Sequence, residues 1–211
     1  GVATVRCVRQ PRVRIVVTGD EIVPAGQPLG PGQIRDSNGP TLAAQVAMAG
    51  GVAEVVHASD EAGALTTAAS GDADLIIITG GVSVGTRDRA QAELGAAGVT
   101  WAFWRVRQRP GRPLLFGTRG GVPVLGLPGN PVSASVGFEV YARPLLAAMQ
   151  GDEAPRLVEC ARLGERLGKP AGLHTFARVT ASREADGVLE LCGAGSQASH
   201  AVLSLLGDGL A

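Results

Sequence analysis

Aromatic residues make up only 3% of this 211-residue sequence, so its core must be built from Val, Leu, Ile and Ala. An excess of either charge is missing too: Lys+Arg and Asp+Glu each number 19. No global basic field exists to draw in nucleic acid or an anionic membrane surface, and any anion site has to be local. No apolar run reaches the length needed to cross a bilayer. Cysteine is scarce: Cys7, Cys160 and Cys192 are far apart and form no CxxC pair. That pattern argues against a disulfide framework or a structural zinc site and for a reducing, cytoplasmic setting. His57, His174 and His200 lack ligand-like spacing, and packing or surface roles are expected for them. The serines show no GxSxG elbow, which leaves serine hydrolase chemistry without support. The first residues lack the layout of a signal peptide, and there is no initiator Met, so a fragment or a processed chain is expected.

What is present is a 45% hydrophobic composition punctuated by 31 Gly and 13 Pro without a repeating period. Val13 to Val17 reads as a β-branched core strand ending at Thr18-Gly19. Asn38 offers a helix N-cap, with Leu42, Val46 and Ala49 at helical spacing and Gly50-Gly51 as the stop. Val52 to Val56 is a second strand, Asp60 caps a helix running to about Ser70, and Leu75 to Ile78 is a third strand ending in Thr79-Gly80-Gly81. A helix with Ala90, Leu94 and Ala97 on one face follows, then strands at Trp101 to Val106 and Val122 to Leu125. Pro131 to Met149 is a long helix that Pro144 should kink or break. Strands alternating with helices predict an α/β fold with a parallel sheet covered on both faces. After about residue 150 the texture changes to short β-like runs at Leu157-Val158, Phe176 to Val179 and Val188 to Leu191, and Ala201 to Leu206 is either helical or a buried turn. The expected organisation is a linker or strand remnant over 1–12, an αβα domain over 13–150 and a small all-β domain over 151–211.

Four segments could carry chemistry. Thr18-Gly19-Asp20-Glu21 follows a buried strand and puts two carboxylates where open sheets bind ligands, though a solvated turn explains them equally well. Thr79 to Asp88 runs from strand to helix with Gly80, Gly81 and Gly85, and with Ser83 among its hydroxyls. Glycines allow backbone N–H groups to approach an anion, whereas Asp88 by itself suits the first turn of a helix whatever its function. Leu127-Pro128-Gly129-Asn130-Pro131-Val132-Ser133 is a second glycine-bearing helix start; capping by Asn130 accounts for much of it. Arg109-Pro110-Gly111-Arg112-Pro113 is either an oxyanion clamp or an exposed turn. A hard cation such as Mg²⁺, held by Asp and phosphate oxygens, fits these residues better than a transition metal does.

Taken in order, Thr18–Glu21, Asp36-Ser37-Asn38, Gly80–Gly85 with Asp88, Pro110–Pro113 and Leu127–Ser133 resemble the motif series of the MoeA/gephyrin E-domain family, the molybdopterin molybdenumtransferases, over their C-terminal half. Gly172 to Arg178 and Gly193 to Leu206 resemble that family's β-domain strand and glycine-serine stretch. The resemblance implies a three-layer αβα molybdopterin-binding domain with a small β-barrel-like domain. It also implies insertion of molybdate into adenylylated molybdopterin, with Mg²⁺ and release of AMP. By motif, Asp20, Glu21 and Asp88 would handle metal or molybdate, with Asp60 a further acid. Gly80, Gly81, Ser83, Gly85, Pro128, Gly129, Asn130 and Ser133 would cradle phosphate or nucleotide, and Arg109 and Arg112 would neutralise oxyanions. A homodimer or other homo-oligomer, and contact with other cofactor-biosynthesis proteins, are further expectations. The sequence departs from the family at Leu173, Arg112 and Thr79, where arginine, lysine and serine are usual, and the two N-terminal domains usual in the family lie outside this sequence, with Gly1 to Arg12 resembling the strand that would join them. Two other functions remain open: a molybdopterin adenylyltransferase, and a non-catalytic molybdopterin-binding scaffold.

Overall fold

The structure, a computed structural model, describes residues 1–80, 87–152, 159–198, 205 and 207–211; of 87–89 only the backbone is described. Residues 1–11 carry no regular element. The first half of the chain forms β1 (Arg12–Thr18), β2 (Ile22–Val23), β3 (Ile34–Arg35), α1 (Asn38–Met48), β4 (Val52–Ala58), α2 (Ala64–Ala68), β5 (Leu75–Thr79) and α3 (Arg87–Ala96). Next come β6 (Thr100–Trp104), β7 (Gln108–Arg109), β8 (Leu115–Arg119), β9 (Val122–Leu127), α4 (Pro131–Gly137), a π-helical turn over Phe138–Ala142, and α5 (Arg143–Met149). The tail holds β10 (Arg162–Leu163), β11 (His174–Thr175), β12 (Arg178–Arg183), β13 (Leu189–Gly193) and β14 (Gly209–Leu210).

Six strands make the central sheet, in the order β4-β1-β5-β9-β8-β6. Strands β4, β1, β5 and β9 are parallel, in registers such as Ile15 opposite Val55 and Ile77, and Ile77 opposite Leu125. Period-2 alternation splits their side chains between two cores. Val13, Ile15, Val17, Leu75, Ile77, Leu125 and Leu127 pack with Leu42 and Val46 of α1 and with Ala134, Phe138, Ala142 and Leu146 from the α4–α5 run. Val16, Ile76, Ile78 and Val124 pack with Leu65 and Ala68 of α2 and Ala90 and Leu94 of α3 on the opposite face. The result is a three-layer αβα fold. No helix among the described residues is long and apolar enough to cross a membrane.

The expected parallel sheet is mixed instead. Strand β8, which the hydrophobic pattern does not single out, runs antiparallel to both β9 and β6. Gly120 and Gly121 link β8 to β9 with φ of 56° and 86°, the twist that a two-residue hairpin demands, so the Gly-Gly pair was the available signal. Strand β6 stops at Trp104 because Arg105 takes a φ of 65°. Pro144 does not end the helical run, and the expected kink or break takes the form of the π turn that separates α4 from α5. The π turn ahead of it absorbs the mismatch of a residue that lacks an N–H, and α5 continues the run.

Two predicted caps are also reassigned. Ser37 occupies the N-cap position of α1, and Asn38 is its first helical residue, with its side chain committed elsewhere. The helix expected over Asp60 to Ser70 shrinks to the five residues of α2, because Gly63 takes a left-handed φ of 85° that a helix cannot run through, and the Asp60 carboxylate turns to the Asp20 amide (3.5 Å). In the tail, β10, β13, β12 and β14 form a four-stranded sheet, while β11 pairs in parallel with β7. The expected runs at Leu157-Val158 and Ala201 to Leu206 fall outside the described residues, apart from residue 205.

The irregular N-terminal segment is held near its end, where Pro11 O accepts the Val52 amide (2.8 Å). Arg9 donates two hydrogen bonds of 2.5 Å to the Asp74 carboxylate, which also accepts the Arg12 amide at 2.8 Å. These contacts, the Arg9 hydrogen bonds above all, lower the Asp74 pKa from 3.8 to about 2. A carboxyl depressed in the folded state stabilises the fold above its ordinary pKa, and that contribution is lost as pH falls from 3.8 toward 2. Asp74→Asn should therefore lower stability at neutral pH and flatten the acid limb in that window. Denaturant midpoints measured from pH 7 to pH 2 check this; an acid limb identical to that of the unmodified chain would contradict it.

Candidate functional site

Three neighbouring parallel strands, β1, β5 and β9, end at the same edge of the sheet, and each runs into a glycine-bearing turn. Gly80 has a φ of +89°, and a Cβ there would sit 2.4 Å from the Thr18 carbonyl oxygen; a Cβ on Gly129 would sit 3.3 Å from Gly80 Cα. The turns after β5 and β9 thus touch through bare backbone, and both lie on one rim. Asn38 joins them. The Thr79 hydroxyl donates to Pro128 O (3.2 Å), which leaves its oxygen to accept from Asn38 Nδ2 (2.8 Å), and Nδ2 also donates to Gly129 O (2.8 Å). Since both N–H groups are spoken for, the orientation of the amide is determined. Among the described residues Asn38 Oδ1, Thr18 Oγ1 and Asn130 Oδ1 are buried around this rim without a partner.

A cleft of about 790 Å³ opens beside the rim. One wall comes from the segment before α1. Buried Asp36 accepts the Gly39 amide (2.8 Å) and pairs with His57 Nε2 (2.9 Å), while Arg35 donates to Pro24 O (3.0 Å). A second wall is the Arg109–Arg112 turn, whose Gly111 (φ +86°) packs beside the Ser133 carbonyl at the start of α4. A third is contributed by the tail through Leu173 and Gln197. The Gln197 amide forms a two-way pair with the Arg178 backbone (2.9 and 2.8 Å), and the buried Arg178 guanidinium donates to Ser196 O (3.2 Å) and Ala198 O (3.3 Å). Burial, with a smaller push from the Arg109 charge, lowers the Arg178 pKa.

Of the residues singled out by sequence, Glu21, Asp60, Gly80, Arg109, Arg112, Pro128, Gly129, Asn130 and Ser133 line the cleft. Asp20 stands just outside the lining, clasped to Asp60 through the Asp60 amide at 2.9 Å and its own amide at 3.5 Å from Asp60 Oδ2. Asn130 has the extended backbone of an N-cap, but its side chain makes no capping bond. Gly81, Ser83 and Gly85 lie outside the described residues, and Asp88 falls in the first turn of α3, where only its backbone is described. Among the described residues no three His, Cys, Asp or Glu side chains form a metal-sized group. The sequence pattern assigns no place in the site to Arg35, Asp36, Asn38, Gln108 or Gln197; the Asp36-Ser37-Asn38 motif is the signal for two of them.

Comparison with known proteins follows the same line. A sequence family described as "Probable molybdopterin binding domain" matches residues 14–148. The molybdopterin molybdenumtransferase of Haemophilus influenzae is 36% identical, aligning with 95% of this chain and 51% of its own length. Molybdopterin molybdenumtransferase 2 of Mycobacterium tuberculosis is 38% identical, with the same coverage of 95% and 51%. The chain therefore spans about half the length of these relatives. Among solved structures, a molybdopterin biosynthesis MoeA protein from Pyrococcus horikoshii superposes with a TM-score of 0.77 at 30% identity, covering 95% of this chain and 49% of that one. A molybdenum cofactor biosynthesis protein B shares the fold at 16% identity, with a TM-score of 0.51 and coverage of 70% of this chain and 98% of its own.

The backbone contact at the rim makes Gly80→Ala a direct test of the site. A methyl group 2.4 Å from Thr18 O cannot be accommodated without moving β1 or β5. The substitution should destabilise the chain by roughly 1–3 kcal/mol. A urea midpoint unchanged from that of the parent would show that the strand ends do not meet in this way.

Proposed function

The chain belongs to the molybdopterin-binding domain family, and from that premise we propose that it is the ligand-binding half of a molybdopterin molybdenumtransferase. The proposed reaction is insertion of molybdate into adenylylated molybdopterin with Mg²⁺ and release of AMP. The observation that carries this reading is the meeting of the Gly80 and Gly129 turns beside the Arg109–Arg112 turn on one cleft. That cleft combines close-approach backbone, which suits a phosphate, with two arginines that have no acidic partner among the described residues. It forms in a chain of zero net charge, as a locally built anion site would.

In this reading Gly80, Gly129, Asn130 and Ser133, with Gly81, Ser83 and Gly85, hold the phosphate or nucleotide end of the ligand. Arg109 and Arg112 offset the charge of phosphate and molybdate oxygens, and guanidinium groups can do so bidentately. Asp20, Glu21, Asp60 and Asp88 form the acidic side. The donor set suits Mg²⁺: Asp20, Asp60 and Glu21 offer hard oxygens near one edge, and Mg²⁺ usually takes one or two carboxylates with the remainder supplied by water and substrate phosphate. When bound, the ion would neutralise charge on the phosphate as the AMP oxygen departs.

Two measurements test the proposal. Titrating AMP into the chain by calorimetry should show binding that Arg112→Ala weakens by about tenfold, the worth of one charge-assisted hydrogen bond, while circular dichroism stays unchanged. Incubation with adenylylated molybdopterin, molybdate and Mg²⁺ should release AMP, and Asp88→Ala should abolish that release. Transfer of AMP from ATP to molybdopterin without molybdate would assign the chain to adenylyltransferase chemistry instead. Binding without either reaction would make it a molybdopterin-binding scaffold.

A further inference from the structure

The Arg109–Arg112 turn is braced from beneath by two residues to which the proposed function gives no part. Gln108, only 3% exposed, donates from Nε2 to Pro110 O (3.0 Å) across the turn, and its Oε1 accepts the Tyr141 hydroxyl. Pro110 O can only accept, so Nε2 must face it and the tyrosine must be the donor. Gly111 keeps the brace close: a Cβ there would lie 3.0 Å from Gln108 Nε2. Tyr141 itself does not line the cleft. It sits in the π turn, where one extra residue per turn re-aims side chains, and this turn belongs to the helical run that begins at Pro131 beside Gly129 and Asn130. The phosphate-side helix and the arginine turn are thereby connected through one hydroxyl and one amide.

We propose that Tyr141 and Gln108 are positioning residues that fix the Arg109–Arg112 turn over the cleft, so that affinity for a phosphate-bearing ligand depends on a tyrosine hydroxyl remote from it. This rests on the reading of the cleft as a phosphate site. The two arginines are exposed and have no acidic partner among the described residues, so the backbone of the turn is what sets where their guanidinium groups start from. Other bonds close the turn at its base, Val106 N–H to Arg112 O (3.1 Å) and Arg105 N–H to Leu114 O (2.8 Å), and Phe176 N–H holds Arg109 O from the tail (2.8 Å), while the brace is what holds Pro110 O, next to Gly111 and Arg112. Burial raises the Tyr141 pKa, which keeps the hydroxyl a proton donor through the neutral range.

Tyr141→Phe removes the hydroxyl and little else. It should weaken AMP binding about tenfold and speed amide hydrogen exchange in the 108–113 peptide of the ligand-free chain about tenfold, with other peptides unchanged. The double variant Tyr141→Phe/Gln108→Leu removes both polar partners of the hydroxyl–amide contact and also the donor to Pro110 O, so the whole brace is gone. Its AMP affinity should stay low even where its thermal midpoint matches that of Tyr141→Phe or exceeds it. Affinity that recovers together with the midpoint would reduce the pair to ordinary packing and overturn the proposal, as would unchanged exchange in Tyr141→Phe. Should the parent chain take up no AMP at all, the phosphate-site reading fails, and the exchange measurement alone decides whether the brace holds the turn.

Discussion

The side-chain amide of Asn38 is the contact on which the cleft depends. Each of its two hydrogen bonds is worth about 0.5–1.5 kcal/mol, but they end in different places, one at the end of β5 and one in the turn after β9. Their effect is geometric. With the Thr79 hydroxyl tied onward to Pro128 O, the ends of two sheet strands and the start of α1 cannot move independently. The arrangement has a cost, since among the described residues Asn38 Oδ1 is left buried with no donor, and Thr18 Oγ1 and Asn130 Oδ1 share that condition nearby. Unsatisfied atoms gathered at one place mark a region shaped for something other than stability.

The strands of the parallel core were legible because they are buried on both faces, which makes Ile15, Ile77 and Leu125 part of near-continuous apolar runs. The caps were misread for a physical reason. Asn38 and Asp60 have the chemistry of capping residues, but partners 41, 91 and 40 positions away in sequence claim their polar groups. Local preference cannot register such distant competition. Strand β8 escaped because its sequence Leu-Phe-Gly-Thr-Arg mixes apolar, small and charged residues at an antiparallel position near the sheet edge. Pro144 was read by its missing N–H alone, whereas the π turn ahead of it lets the helix run on.

The site was half legible for a related reason. Glycines placed directly after strands announce close backbone approach, and a Cβ on Gly129 would indeed stand only 3.3 Å from Gly80 Cα. Arg109 and Arg112 drew notice through the stiffness of the Pro-Gly turn. Nothing local announces Gln197, or Leu173 as a wall of the same cleft, because both lie in tail loops that long-range contacts bring there, Leu173 through the pairing of β11 with β7 and Gln197 through its hydrogen bonds to the Arg178 backbone. Arg178 belongs to the same class: it works from inside the tail, holding the backbone of residues 196 and 198 so that Gln197 stays at the cleft.

That tail wall makes the cleft a composite of chain segments as far apart as Thr18 and Gln197. A pocket assembled at such sequence separation is complete only after the latest segment has docked, and docking of this kind pays a loop-closure entropy that local contacts do not. Occupancy and docking must then be thermodynamically linked. Whatever fills the cleft against Leu173 and Gln197 tightens the hold of the tail on β7, and by reciprocity a loosened tail surrenders affinity. The small β sheet is in this sense a tunable weight on the binding equilibrium, placed outside the layer that holds the glycine turns.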